Sequence, residues 1–216
     1  MQIAIPLYER FTALDAIGPY DVLARLPGAE VAFVAAEPGV IRTEMGEGGP
    51  AFLVQRTLDD VPAPDIVVVP GGFGNRALLG DSALVRWLRA VHPRTTWTTS
   101  VCTGSLLLAA AGILDGEDAA THWLSHERLE GLGARPSTDR VVRRGKVITA
   151  AGVSSGIDMA LTLAAEIAGP EVAQGIQLAI EYDPQPPFDA GAPHKAPVHI
   201  VSRVREVMGA QGTAIR

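Results

Sequence analysis

The chain has 216 residues, of which 47% are hydrophobic and 19% charged, and this composition suits one α/β domain with a substantial core. Its formal net charge of −6 argues against a nucleic-acid-binding face. The single cysteine excludes an internal disulfide and a cysteine-rich metal site.

The N-terminal segment, M-Q-I-A-I-P-L-Y-E-R, lacks the basic start and the long apolar core of a signal peptide. The longest uncharged apolar run, near Leu106–Leu114, is too short to span a bilayer. We therefore expect a cytoplasmic protein with neither a membrane partner nor a nucleic-acid partner.

The first half of the chain alternates between apolar strands and helices. After a strand at Gln2–Leu7, Thr12 is expected to cap a helical turn that carries Asp15, and Gly18-Pro19 to restart the helix through Tyr20–Leu26. The elements expected next are strand Glu30–Ala36, loop Glu44–Gly49, strand Ala51–Val54, buried strand Ile66–Val69, helix Ser82–Val91 capped by Asp81, and strand Thr95–Val101.

The second half continues the alternation. The expected elements are helix Ser105–Ala111 ended by Gly112, helix Ala120–Leu129, a hairpin of Val141–Arg143 and Val147–Ala150, helices Ile157–Ala168 and Glu171–Glu181, a proline-rich arm at 182–197, and a C-terminal region at 198–216 whose helix covers Val198–Met208. This order predicts a single domain over residues 1–216, built on a doubly wound, mainly parallel sheet with helices on both faces.

The stretch Thr95–Leu108, T-T-W-T-T-S-V-C-T-G-S-L-L-L, joins a strand to a helix through Cys102. A nucleophile followed by one spacer and a glycine at such a junction is typical of a nucleophile elbow. The alternative is a small buried hydrophobic residue, which is the commoner role of a lone cysteine. The context favours Cys102 as a nucleophile whose thiolate form is stabilised by the start of the helix.

A glycine-rich turn, Pro70-Gly71-Gly72-Phe73-Gly74, follows strand Ile66–Val69. Its spacing does not match a dinucleotide site, so one interpretation is a tight strand-to-helix turn. The other is a ligand site, because free backbone N–H groups would lie at the carboxyl end of a central strand.

His122 and His126 are spaced for one face of a helix, but H-W-L-S-H lacks the glutamate of a metalloprotease motif. We therefore expect a capping or surface role for these residues and no metal.

Three motifs resemble the ThiJ/PfpI superfamily, relatives of class I glutamine amidotransferases: V-P-G-G at 69–72, S-V-C-T-G-S at 100–105 and T-H-W at 121–123. The segments L-D-A-I-G-P at 14–19, G-I-D-M-A-L-T-L-A-A-E at 156–166 and I-Q-L-A-I-E-Y-D-P-Q-P-P-F-D-A-G at 176–191 resemble its isonitrile hydratase branch. The resemblance implies a flavodoxin-like fold, a homodimer, an isonitrile substrate and no cofactor.

Carried over residue by residue, the resemblance makes Cys102 the nucleophile and Asp15 its proton-handling partner. The resemblance also implies that the backbone N–H groups of Gly72 and Thr103 face the charge that develops during the reaction.

The sequence departs from the family pattern in two places. Thr103 replaces the histidine that follows the cysteine in proteolytic members, so a Cys-His dyad is not expected. Ala150-Ala151-Gly152 stands where hydratases have consecutive glycines, and the two additional methyls near the thiol are expected to narrow the pocket or to change its mobility.

Two other functions stay open at this point. Related domains occur in transcription regulators as ligand sensors, although the stretch after Pro197 is too short for a DNA-binding domain. A glyoxalase-like enzyme or an amide hydrolase would use the same cysteine.

Overall fold

The computed structural model describes residues 1–213 of the chain. Its strands are β1 (Gln2–Pro6), β2 (Glu30–Ala35), β3 (Gly39–Arg42), β4 (Ala51–Val54), β5 (Arg56–Thr57), β6 (Ile66–Val69), β7 (Trp97–Val101), β8 (Asp118–Ala120), β9 (Arg135–Ser137), β10 (Val141–Arg144) and β11 (Val147–Ala150). Its α-helices are α1 (Ala13–Leu23), α2 (Ala83–Val91), α3 (Gly104–Ala110), α4 (His126–Gly131), α5 (Ser155–Ala168), α6 (Pro170–Ala179) and α7 (Val198–Thr213).

The central sheet has seven strands in the order β10-β11-β7-β6-β1-β2-β5, and only the hairpin β10–β11 pairs antiparallel. Strand β6, I-V-V-V, is buried at every position, as expected for a strand covered on both faces. Helix α5 packs against α1 and α6, while α3 packs against α2 and α4. The flavodoxin-like, mainly parallel prediction is confirmed, and the carboxyl ends of β1, β6, β7 and β11 meet at one edge of the sheet.

Helix α1 runs unbroken through Gly18-Pro19, so the predicted restart is wrong. Both residues serve the contact with α5 instead. A Cβ on Gly18 would lie 3.0 Å from Cγ1 of Ile157, and a Cβ on Gly156 would lie 3.2 Å from Cγ of Pro19. Gly18 and Pro19 therefore allow α1 and α5 to approach each other closely and do not interrupt α1.

Two other expectations are corrected by the structure. Helix α2 is capped by Ser82, whose Oγ accepts the Val85 N–H at 3.2 Å, and not by Asp81, which pairs with Arg86. The helix expected from residue 120 begins only at His126, because Asp118–Ala120 forms a strand with β9. Strands β3, β5, β8 and β9 are too short or too polar to stand out in the sequence.

The chain divides into two compact units, residues 1–180 and residues 181–216. In the second unit, the arm at 182–197 contains neither helix nor strand, and α7 extends beyond its expected end at Met208. The last three residues of the predicted tail, 214–216, lie outside the described residues. That these units form a single domain stays a prediction.

No helix within residues 1–213 combines the length and the apolar character that crossing a membrane requires.

Gly104, the first residue of α3, allows the helix to approach β6 closely. A Cβ at this position would lie 2.1 Å from the carbonyl oxygen of Val69. We expect Gly104→Ala to lower the free energy of unfolding by about 2–4 kcal/mol, because backbone must move to admit the methyl. Gly175→Ala on the exposed face of α6 is the control, since its Cβ meets nothing within 4 Å. Urea unfolding midpoints that are equal for wild type and Gly104→Ala would contradict this expectation.

Candidate active site

Cys102 lies between β7 and α3 with a φ of +55°, a conformation that is strained for a residue other than glycine. Four hydrogen bonds hold it there. Its N–H donates to the carbonyls of Ala151 at 2.8 Å and Ala150 at 3.1 Å. Its own carbonyl accepts the hydroxyls of Ser105 at 3.1 Å and Thr121 at 3.2 Å. The elbow geometry is present, and these backbone hydrogen bonds fix the direction of the Cα–Cβ bond of Cys102.

Asp15, the third residue of α1, is fully buried beside this thiol. Its Oδ2 accepts the Gly71 N–H at 2.8 Å. Its Oδ1 is buried and has no hydrogen-bond partner within the described part of the chain. Gly71 must be a glycine here, because a Cβ would lie 2.6 Å from the Thr103 nitrogen and 2.9 Å from Oδ2. The glycine turn and α1 together leave one carboxyl oxygen available to the thiol or to a bound molecule.

Burial decides the protonation of this carboxyl. It raises the pKa of Asp15 to about 8, against the opposing effect of the Gly71 hydrogen bond and with a further contribution from the charge of Glu44. Asp15 therefore carries its proton at neutral pH and can donate it.

The expected low pKa of Cys102 is wrong. Burial raises the pKa of the thiol well above its usual range, and the charge of Asp15 raises it further. The backbone N–H groups of Val153 and Thr103 act in the opposite direction without prevailing. Helix α3 has only seven residues, so its dipole offers little compensation for the lost hydration. The resting site is a neutral thiol beside a neutral acid.

The two predicted anion-facing N–H groups have different surroundings. The N–H of Thr103 lies beside the thiol, as expected. The N–H of Gly72 donates to the Thr103 hydroxyl at 3.0 Å, so it is engaged within the protein. The Thr103 carbonyl accepts Nδ2 of Asn75 at 2.8 Å. Gly72 therefore orients Thr103, and Val153 supplies the second N–H beside the sulfur. From the sequence, Ala151–Gly156 is a run of small residues expected to pass close to a ligand, with no role predicted for Val153 itself.

Ala151 lies in the loop between β11 and α5 and is partly exposed. Its carbonyl accepts the Cys102 N–H, and its N–H donates to the Arg140 carbonyl at 2.9 Å. Ala150 is fully buried at the end of β11. Compared with two glycines, Ala150 and Ala151 add two methyl groups, and of these two residues only Ala151 is partly exposed to solvent.

Two ionisable residues near the pair escaped prediction from sequence. The Tyr8 hydroxyl donates to the Pro70 carbonyl at 2.8 Å, and burial together with the charge of Asp15 raises its pKa. Glu44 accepts the Thr12 hydroxyl at 2.9 Å, and its charge reaches both Asp15 and Cys102. The Thr12 side chain therefore does not cap α1 as expected.

His122 begins a 3₁₀ turn, and its Nδ1 accepts the Leu124 N–H at 3.3 Å, in agreement with the predicted capping role. A Cβ on Gly152 would lie 3.1 Å from its ring. Burial lowers the pKa of His122. Among residues 1–213, no three side chains of His, Cys, Asp or Glu are grouped so that they could hold a metal ion.

The profile of the DJ-1/PfpI family matches residues 1–166. The chain belongs to the DJ-1/PfpI family. The predicted resemblance to the ThiJ/PfpI superfamily is thereby confirmed.

Relatives of known name differ in how much of the chain they match. The isonitrile hydratase of Pseudomonas putida is 43% identical over 95% of this chain and 89% of its own length. The crystal structure of a ThiJ/PfpI family protein from Pseudomonas syringae superposes with a TM-score of 0.91 and 34% identity, covering 98% of this chain and 87% of that one. An HTH-type transcriptional regulator of Pseudomonas aeruginosa is 34% identical over 54% of this chain, but only 35% of its own length is covered.

Proposed function

We propose that this DJ-1/PfpI family member is an isonitrile hydratase, a lyase-type enzyme that adds water to an isonitrile and releases an N-substituted formamide. The observation that carries the proposal is the 43% identity to the P. putida isonitrile hydratase over nearly the full length of both chains. The buried pair of Cys102 and Asp15 supports it chemically, because the reaction needs a nucleophile and a proton donor at one carbon.

In the first step, the protonated Asp15 gives its proton to the terminal isonitrile carbon, and the sulfur of Cys102 bonds to the same carbon. The thiol proton passes to the vacated carboxylate, so the net change is addition of S–H across the carbon. The product is a neutral thioimidate, and Asp15 regains its proton. A neutral resting pair supports this step, because no free thiolate has to be maintained in a buried site.

In the second step, water adds to the thioimidate carbon while Asp15 moves a proton from the water to nitrogen. The tetrahedral intermediate then collapses: the C–S bond breaks, the hydroxyl becomes the formyl oxygen, and its proton returns to sulfur through Asp15. The N–H groups of Thr103 and Val153 stabilise negative charge on the departing sulfur. Gly72 acts indirectly, by holding the Thr103 side chain.

The test is incubation of the purified protein with a small alkyl isonitrile in water enriched in ¹⁸O. We expect an N-alkyl formamide that carries the label in its formyl oxygen. Absence of formamide with several isonitriles of different size would defeat the proposed function.

The regulator-like alternative receives less support. The match to the P. aeruginosa regulator covers 35% of that protein, compared with 89% for the hydratase. We propose a cytoplasmic enzyme that does not bind nucleic acid, consistent with the net charge of −6 and the single thiol.

We further propose a homodimer. The strand pair β3–β4 exposes Val40 and Leu53 opposite each other, and Phe188 of the arm is 78% exposed. Burying exposed apolar groups of this kind against a second copy of the chain is more favourable than leaving them in contact with water. Sedimentation that shows a monomer at micromolar concentration would contradict this assignment.

Ala151→Gly is expected to change the range of accepted isonitriles while leaving the fold intact. The residue is partly exposed and its carbonyl anchors the Cys102 N–H, so removal of the methyl widens the site beside the thiol. We expect kcat/KM for bulky isonitriles to rise relative to small ones by about threefold to tenfold. Ala110→Gly, at the end of α3, controls for a general effect of a glycine. Equal ratios of kcat/KM for small and bulky isonitriles in the variant and in wild type would show that the Ala151 methyl has no effect on substrate range.

A further inference from the structure

Glu44 is a half-buried acid that the proposed mechanism does not use. It follows β3 in a segment that runs alongside the loop before α1. The Arg10 N–H donates to the Arg42 carbonyl at 2.8 Å, and the Glu44 N–H donates to the Phe11 carbonyl at 3.0 Å. Backbone pairing therefore holds Glu44 against the start of the helix that carries Asp15.

The side chain of Glu44 joins two parts of the site. Its Oε2 accepts the Thr12 hydroxyl at 2.9 Å, at the start of α1. Its carboxylate also accepts the backbone N–H of Phe73, which lies within the glycine turn. Because α1 provides Asp15 and the turn provides the Gly71 N–H, this bridge secures both partners of the Asp15–Gly71 hydrogen bond.

Opposing effects act on the charge of Glu44, and the net shift of its pKa is upward. Burial raises the pKa of Glu44, whereas the hydrogen bonds from Thr12 and Phe73 and the cation of Arg10 oppose the rise. The titratable groups of the site that face this charge are Asp15 on α1, Cys102 at the elbow and Tyr8 after β1, and it disfavours ionisation of all three.

We propose that Glu44 is a positioning residue for the Asp15–Cys102 pair: it fixes the start of α1 against the glycine turn and places a negative charge beside Asp15, so that the acid keeps its proton. The proposal rests on the pairing of Asp15 with Cys102 in the proposed function, but it does not depend on the identity of the substrate.

The experiment uses the full chain and the alkylation of Cys102 by iodoacetamide. Because the chain has one cysteine, the rate reports this thiol alone. Glu44→Gln keeps an acceptor oxygen for Thr12 and removes the charge. We expect its rate-against-pH profile to shift to lower pH by about half a unit, with about threefold faster alkylation on the acidic side. Glu47→Gln is the matched control, since Glu47 is exposed in the same segment, and its profile should equal that of wild type.

A Glu44→Gln profile that coincides with that of wild type, or one that shifts to higher pH, overturns the proposal. So does a uniform change of rate at every pH, because a merely structural role would leave the midpoint where it is. Glu44→Ala is measured in parallel and should shift in the same direction, so the result does not depend on the folding of one variant. Absence of formamide formation by wild type would defeat the proposed function and leave this alkylation result standing.

Discussion

Cys102→Ala is expected to lower the rate of formamide formation by at least about 10³-fold, because no thioimidate can form without the sulfur. The elbow offers no substitute: the neighbouring hydroxyls of Ser105 and Thr121 both donate to the Cys102 carbonyl, and that of Thr103 accepts the Gly72 N–H. The measurement is kcat with a small alkyl isonitrile, followed by formamide release.

Cys102→Ser gives a second comparison, since it keeps the shape of the side chain and replaces the thiol by a far weaker acid. We expect it to resemble the alanine variant in rate. A Cys102→Ala protein that turned over at the wild-type rate would eliminate the covalent mechanism.

Asp15→Asn is expected to lower kcat by about 10²-fold or more, because the amide keeps the shape and the Gly71 hydrogen bond but cannot exchange a proton. We expect KM to change much less than kcat, because the lost proton acts on the reacting carbon. Asp15→Glu should retain part of the activity with poorer alignment. Asp21→Asn is the matched control, because Asp21 lies on the same helix and is exposed. Equal kcat values for Asp15→Asn and wild type would remove Asp15 from the reaction.

The same variant separates loss of activity from loss of folding. The pKa of Asp15 rises to about 8 on folding, so its ionisation costs stability progressively between its unfolded pKa and about pH 8. Asparagine avoids that cost. We therefore expect Asp15→Asn to be more stable than wild type at pH 9, by up to a few kcal/mol, with the difference closing towards pH 4. Thermal unfolding across this range would show an inactive but stabilised protein.

The sequence predicts the strand–cysteine–glycine–helix junction because each part has a strong local pattern. The apolar run at β6 and the β-branched run before Cys102 mark adjacent parallel strands, whose carboxyl ends meet at one edge. Gly104 is placed where only a glycine allows contact with Val69. The apolar runs and the Cys-x-Gly spacing can be recognised locally, although the reason for Gly104 is a contact with a residue distant in the chain.

The rest of the site depends on contacts that local patterns do not encode. Glu44 reaches Thr12 across 32 positions in the sequence. The N–H of Val153 lies beside the sulfur only because the loop after β11 returns to the elbow. The direction of the thiol pKa shift also depends on tertiary burial. Burial raises the pKa by more than the short helix after Cys102, which was predicted correctly from the sequence, can lower it.

The central claim, that Cys102 and Asp15 together add the thiol across the isonitrile carbon, is tested most directly by acid-quenched mass spectrometry during turnover. Wild-type protein should show a covalent adduct equal in mass to one isonitrile, located on the peptide that contains Cys102 and absent from Cys102→Ala. Formation of this adduct should slow with Asp15→Asn. Formamide that accumulates while the Cys102 peptide stays unmodified at every time point would contradict the account.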